Sequence, residues 1–112
     1  MQKKYSINAT LWRYQAKGGW YFVTLPKPLS LKIRKSHFTS EEGWGRLKVE
    51  ANIGKTHWLT AIWFDTKAGS YLLPIKANVR KKESLSEGKK VQITLKITIN
   101  KQLLRLKKLT GF

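Results

Sequence analysis

The segment Tyr71–Leu95, YLLPIKANVRKKESLSEGKKVQITL, has a degraded copy earlier in the chain at Tyr21–Val49, YFVTLPKPLSLKIRKSHFTSEEGWGRLKV. Both copies begin with an aromatic-rich strand ending in Leu-Pro, at Leu25-Pro26 and Leu73-Pro74. Both reach a hydrophobe followed by two cations, Ile33-Arg34-Lys35 and Val79-Arg80-Lys81, then a Ser-Glu turn, a glycine and an alternating strand. Two strand–short helix–turn–strand units in 112 residues predict an all-β, pseudo-symmetric barrel, closed or partly open, with two short helices. The length suits one domain, whose core needs neither metal nor disulfide.

The periodicity fills in the elements. Tyr5, Ile7, Ala9 and Leu11 alternate with polar residues over residues 4–14, the mark of a half-buried strand. Lys17-Gly18-Gly19 reads as a turn and Trp20–Leu25 as the second strand, which Pro26 and Pro28 end. Between Leu29 and Lys35 a short helical turn is expected, with Leu29 and Ile33 inward. Leu47, Val49, Ala51 and Ile53 define the next strand, and Gly54-Lys55 reverses it into Thr56–Phe64. That strand has hydrophobes on both faces, so it is expected to be central or covered. Ser70–Leu73 is the fifth strand. A two-turn helix over Asn78–Leu85, with Asn78 as N-cap and Gly88 past its end, precedes the sixth, Val91–Ile99. Residues 1–100 form the expected domain, and 101–112, KQLLRLKKLTGF, a basic leucine-rich tail.

Lys and Arg number 23 against 6 Asp and Glu, a formal net charge of +17. Such a field favours polyanions, nucleic acid or an anionic membrane surface, and is screened by salt. A lysine-rich surface serving solubility is the plainer reading, since the cations are spread along the chain. There is no cysteine, which removes thiolate catalysis, cysteine–zinc sites and disulfides together. No apolar run approaches the ~20 residues of a membrane span, and MQKKYSINAT lacks a signal peptide's apolar core, so a cytoplasmic location is expected.

The residues resemble those of the bacterial and archaeal family known as domain of unknown function 1905. The likeness runs through Gly19-Trp20, Leu25-Pro26, Gly43-Trp44-Gly45, Ile53–Trp58, Tyr71–Lys81 and Glu87-Gly88, and covers nearly all of residues 5–99. It implies a double-split β-barrel of about six to seven strands. A more distant resemblance is to AbrB/MazE-type DNA-binding domains, which build a similar barrel by swapping hairpins between two chains. Val79-Arg80-Lys81, Leu85 and Gly88 match their spacing, while Pro74 lies two residues further upstream. This resemblance implies a single-chain equivalent of the swapped dimer, two half-barrels fused, which is compatible with a monomer and leaves the oligomeric state open. It also implies DNA contacts from Arg80 and Lys81 and, by pseudo-symmetry, from Arg34 and Lys35.

A binding module rather than an enzyme is therefore expected. Arg34, Lys35, Lys76, Arg80, Lys81 and Lys82 are the candidate nucleic-acid contacts, for DNA or RNA phosphates and guanine edges. Against this stands the reading that they are solvated helix faces, with one arginine per copy anchoring its turn. Trp20 and Trp44 are the candidates for stacking or for a ligand cleft, the alternative being a small-molecule or peptide site; Trp58 and Trp63 are expected to pack. His37 and His57 lack metal-ligand companions, so no metal or cofactor is expected. Ser36/His37/Glu41 and Thr56/His57/Asp65 contain the residue types of a nucleophilic triad without the elbow motif that would support one, so no catalytic residue is assigned.

Overall fold

The computed structural model describes residues 2–16, 18–37 and 45–98. Its strands are β1 (Gln2–Thr10), β2 (Trp12–Arg13), β3 (Tyr21–Thr24), β4 (Arg46–Ile53), β5 (Thr56–Asp65), β6 (Ser70–Pro74) and β7 (Lys90–Thr98). Helix α1 (Lys27–His37) follows β3, and α2 (Ala77–Lys82) follows β6. All seven strands form one antiparallel sheet in the order β1-β7-β4-β5-β6-β3-β2, curled into a partly open barrel.

The two outer strands of that order are successive in the chain, with only Leu11 between them. The Leu11 amide donates to the Lys89 carbonyl at 2.9 Å, and Gly88 donates to the Leu11 carbonyl at 2.8 Å. One bent run of chain thus pairs with β7 on one side and β3 on the other, which limits the exposed sheet edge. Alternation supplies the core. Ile7, Leu47, Val49, Ala51, Ile53, Ile62, Leu73, Val91, Ile93, Leu95 and Ile97 are all buried, and Leu29, Ile33 and His37 bring one stripe of α1 onto them.

The repeat emerges as a pseudo-twofold in the pairing. β3 pairs with its counterpart β6, and β4 with its counterpart β7. The hydrogen bonds set the correspondence. Leu25 N–H donates to Tyr71 O at 3.0 Å and Ile75 N–H to Tyr21 O at 2.9 Å; Ser30 N–H donates to Pro26 O at 2.8 Å and Arg80 N–H to Lys76 O at 3.1 Å. Residues 21, 25, 26 and 30 therefore match 71, 75, 76 and 80. The sequence alignment, which set Leu25-Pro26 against Leu73-Pro74 and Arg34 against Arg80, is corrected by two residues at the strand and by a helical turn at the arginine.

The helices depart from expectation at their ends. α1 starts earlier and runs longer than the expected turn, because Pro28 falls in its first turn, where the missing N–H costs nothing. In α2 the N-cap is Lys76, with no side-chain capping bond; Asn78 lies inside the helix, so its predicted capping role is wrong. α2 stops short of Leu85 because Glu83 caps its C-terminus and Ser84 takes a positive φ of 54°. The Glu83 carboxylate accepts a 2.6 Å bond from Thr56 Oγ1 and closes over Gly54, where a Cβ would push it aside, tying α2 to the β4–β5 turn.

Candidate functional site

The two candidate arginines have local partners. Arg80 donates from Nε to the Ile75 carbonyl at 3.2 Å and lays its guanidinium over the Tyr21 ring, 3.7 Å from the centroid. Arg34 lies over Phe64 at 3.9 Å, and Phe64 meets Tyr71 edge-on at 5.1 Å. Both are half-buried cation–π contacts between a helix and the sheet beneath it, the anchoring role that the sequence offered as the plainer alternative. Ser30, the backbone counterpart of Arg80, does comparable work without charge: its Oγ donates to Leu25 O at 3.4 Å and accepts from Tyr71 N at 3.0 Å. Lys35, Lys76, Lys81 and Lys82 are exposed, Lys35 near the end of α1, Lys76 at the N-cap of α2, and Lys81 and Lys82 in its last turn.

Trp20 is the aromatic side chain most open to solvent among the described residues, 59 % exposed. Its indole stacks on Phe22 with 14° between planes, and its edge abuts Gly18, whose φ of 105° needs a glycine. Phe22 also meets Trp12 and Tyr14, and Trp12 Nε1 donates to Thr24 Oγ1 at 2.9 Å, so Trp20 rests on a braced aromatic cluster. Trp44, the other stacking candidate, lies outside the described residues, as do Glu41 of one considered triad and the tail at 101–112.

Trp20 rims a cleft of about 170 Å³, lined also by Trp58, Leu59, Thr60, Pro74, Ile75 and Lys76. The cleft has a backbone cause. β5 and β6 pair only through Trp63–Asp65 and Ser70–Leu72. Because Ile75 N–H points to β3, alternation turns the Pro74 nitrogen toward β5, and a proline nitrogen has nothing to donate. The sheet splits there. Trp58 is buried in the split, as expected, while Leu59 stands 82 % exposed at its mouth. Trp63 is exposed beside Arg46 on the outer face, so its predicted packing role is corrected, and β5, although central in the sheet, is not covered. The sequence showed Trp20 but not its cleft, because no local pattern reveals where two distant strands part.

His37 is buried at the end of α1, with Nε2 3.0 Å from the Tyr5 hydroxyl; Nδ1 has no hydrogen-bond partner among the described residues. Burial pushes its pKa below the ordinary histidine value, with Lys3 pushing the same way. Burial also raises the Tyr5 phenol. Below the unfolded value near 6.5 the unfolded chain takes up a proton that the folded chain resists, so stability must rise with pH through that region. Urea unfolding of wild type and His37→Leu is expected to show equal pH dependence above about 6.5 and a steeper acid loss for wild type below it. Parallel curves would remove His37 from the acid response. Thr56 and Asp65 open and close β5, roughly 30 Å apart in an extended strand, so no triad joins them through His57. No cluster of three metal-ligating side chains occurs among the described residues, and no helix among them is long and apolar enough to cross a membrane.

Residues 8–95 match the model of the family described as Domain of unknown function (DUF1905). The chain belongs to that family. A shorter likeness is to Cyclin-dependent kinases regulatory subunit 2 of Xenopus laevis, 43 % identical over 37 residues, 33 % of this chain and 47 % of that protein. The chain thus spans about half the length of that relative. DUF1905 membership fixes most of the chain to one family whose description carries no activity, so function must be argued from the site.

Proposed function

We propose that this DUF1905 protein is a non-enzymatic module that binds nucleic acid through its exposed lysines. The observation that carries the reading is the exposed lysines at the two ends of α2, Lys76 at its N-cap, where it also lines an aromatic-rimmed cleft, and Lys81 and Lys82 in its last turn, in a chain of net charge +17. Lys35 on α1 is a further contact. Arg34 and Arg80 hold their helices on the sheet and add charge behind the lysines rather than reading bases. This redistributes the roles that the resemblance to AbrB/MazE-type domains implied, while keeping the same basic segments.

Fluorescence anisotropy with labelled oligonucleotides tests the reading. Affinity should fall steeply between roughly 50 and 200 mM salt, and Lys76→Gln, Lys81→Gln or Lys82→Gln should each reduce the log–log salt slope by about 1. Absence of binding at the lower salt would remove it, as would binding that ignores salt. A second reading, a peptide or small-molecule site, is favoured by the apolar cleft itself. At about 170 Å³ it falls below the ~300–1,000 Å³ usual for drug-sized ligands, which leaves room for one side chain or one planar group.

A further inference from the structure

We infer that the split between β5 and β6 is a seat for an unpaired nucleobase, stacked on Trp20 with its neighbouring phosphate on Lys76, so that the protein prefers single strands to duplex. This deepens the nucleic-acid reading and rests on it.

Three observations lead there. Trp20 is a large flat ring, 59 % exposed, yet held in place by a near-parallel stack on Phe22 and by the abutting Gly18. A ring fixed in this way loses little freedom when a second ring settles on it, which is how single-strand binders use aromatic platforms. The cleft beside it, about 170 Å³, is of a size for one planar group, with Trp58 buried in it and Leu59 at its mouth. A cation stands at its rim, since Lys76 lines the same cleft and leads into Lys81 and Lys82 on α2, while Arg13 lies against Gly19 next to Trp20. An apolar ligand would gain nothing from these cations. A nucleotide uses both halves, the base on the ring and the phosphate on the ammonium. In a duplex each base face is already stacked on a neighbour, so only an unpaired base can use Trp20.

The test uses the full chain with a labelled single strand and the same sequence as duplex, each titrated at two salt concentrations. Wild type should bind the single strand more tightly. Trp20→Ala should weaken single-strand binding roughly tenfold or more, leave duplex binding and the salt slope unchanged, and be largely rescued by Trp20→Phe. Lys76→Gln should instead flatten the slope for both. Trp63→Ala, which removes an exposed indole that does not line the cleft, should change neither, and circular dichroism shows that each variant is folded. If wild type binds both forms equally, or Trp20→Ala weakens both alike or neither, base stacking is overturned while the polyanion reading stands. If wild type binds neither form, both fall together.

Discussion

Tyr71→Ala is expected to lower the unfolding free energy by about 3–5 kcal/mol, the range for removing a large, fully buried aromatic side chain. Tyr71 has no exposed surface and stands in β6 where the two halves of the barrel meet. Its ring meets Phe64 edge-on, and Phe64 in turn carries the Arg34 guanidinium over its face. Truncation therefore leaves a cavity and also loosens the support on which α1 is anchored. Its backbone continues to receive the Leu25 N–H and to donate to Ser30 Oγ, so the strand pairing should survive. The expected signature in urea is a large fall in midpoint with little change in slope. Since small domains have only about 5–15 kcal/mol in total, the variant should be near the limit of folding at 37 °C. Tyr14→Ala is the comparison, because that ring is half exposed. A Tyr71 loss no larger than that of Tyr14 would mean that the two halves are held together elsewhere.

The strands were legible because their patterning is strict. Leu47, Val49, Ala51 and Ile53 alternate with polar residues without a break, and Gly54, at φ 56°, turns the chain where a two-residue reversal was expected. The helices were harder. Pro28 signals the end of a strand and the first turn of a helix equally well, so the pattern understates α1; Ser84 at positive φ is no better advertised, so the pattern carries α2 too far. The repeat showed that the chain is built twice, but not its structural register. Leu-Pro occurs in both copies, yet Pro26 precedes a helix directly and Pro74 stays in its strand, three residues upstream of one. That shift moves Arg80 opposite a serine and puts a proline at the split. Side-chain roles followed from the shift and were invisible without it. An arginine on an aromatic ring and an arginine on a phosphate have the same sequence, and only the placement of Tyr21 and Phe64 separates them.

The same dependence on distant pairing makes Leu11 the second sensitive position. Leu11→Ala is expected to cost about 2–5 kcal/mol, since the side chain is fully buried and three carbons are removed from the core. Its position gives the loss a distinctive form. Leu11 is the bend between β1 and β2, and its N–H and C=O join it to Lys89 and Gly88, so it fastens both outer strands to the approach of β7. A smaller residue keeps those two bonds but weakens the packing that holds the bend inward. Local opening should then become easier than global unfolding at this seam. Native-state hydrogen exchange should show the Leu11-site and Gly88 amides losing more protection than those of β4 and β5, which pair along eight residues in the sheet interior. Uniform loss across the sheet would instead mean that the barrel unfolds as one unit. The β1–β2 seam would then be no weaker than the β4–β5 hairpin, and the continuity of the chain through Leu11, rather than the burial of its side chain, would be what closes the sheet.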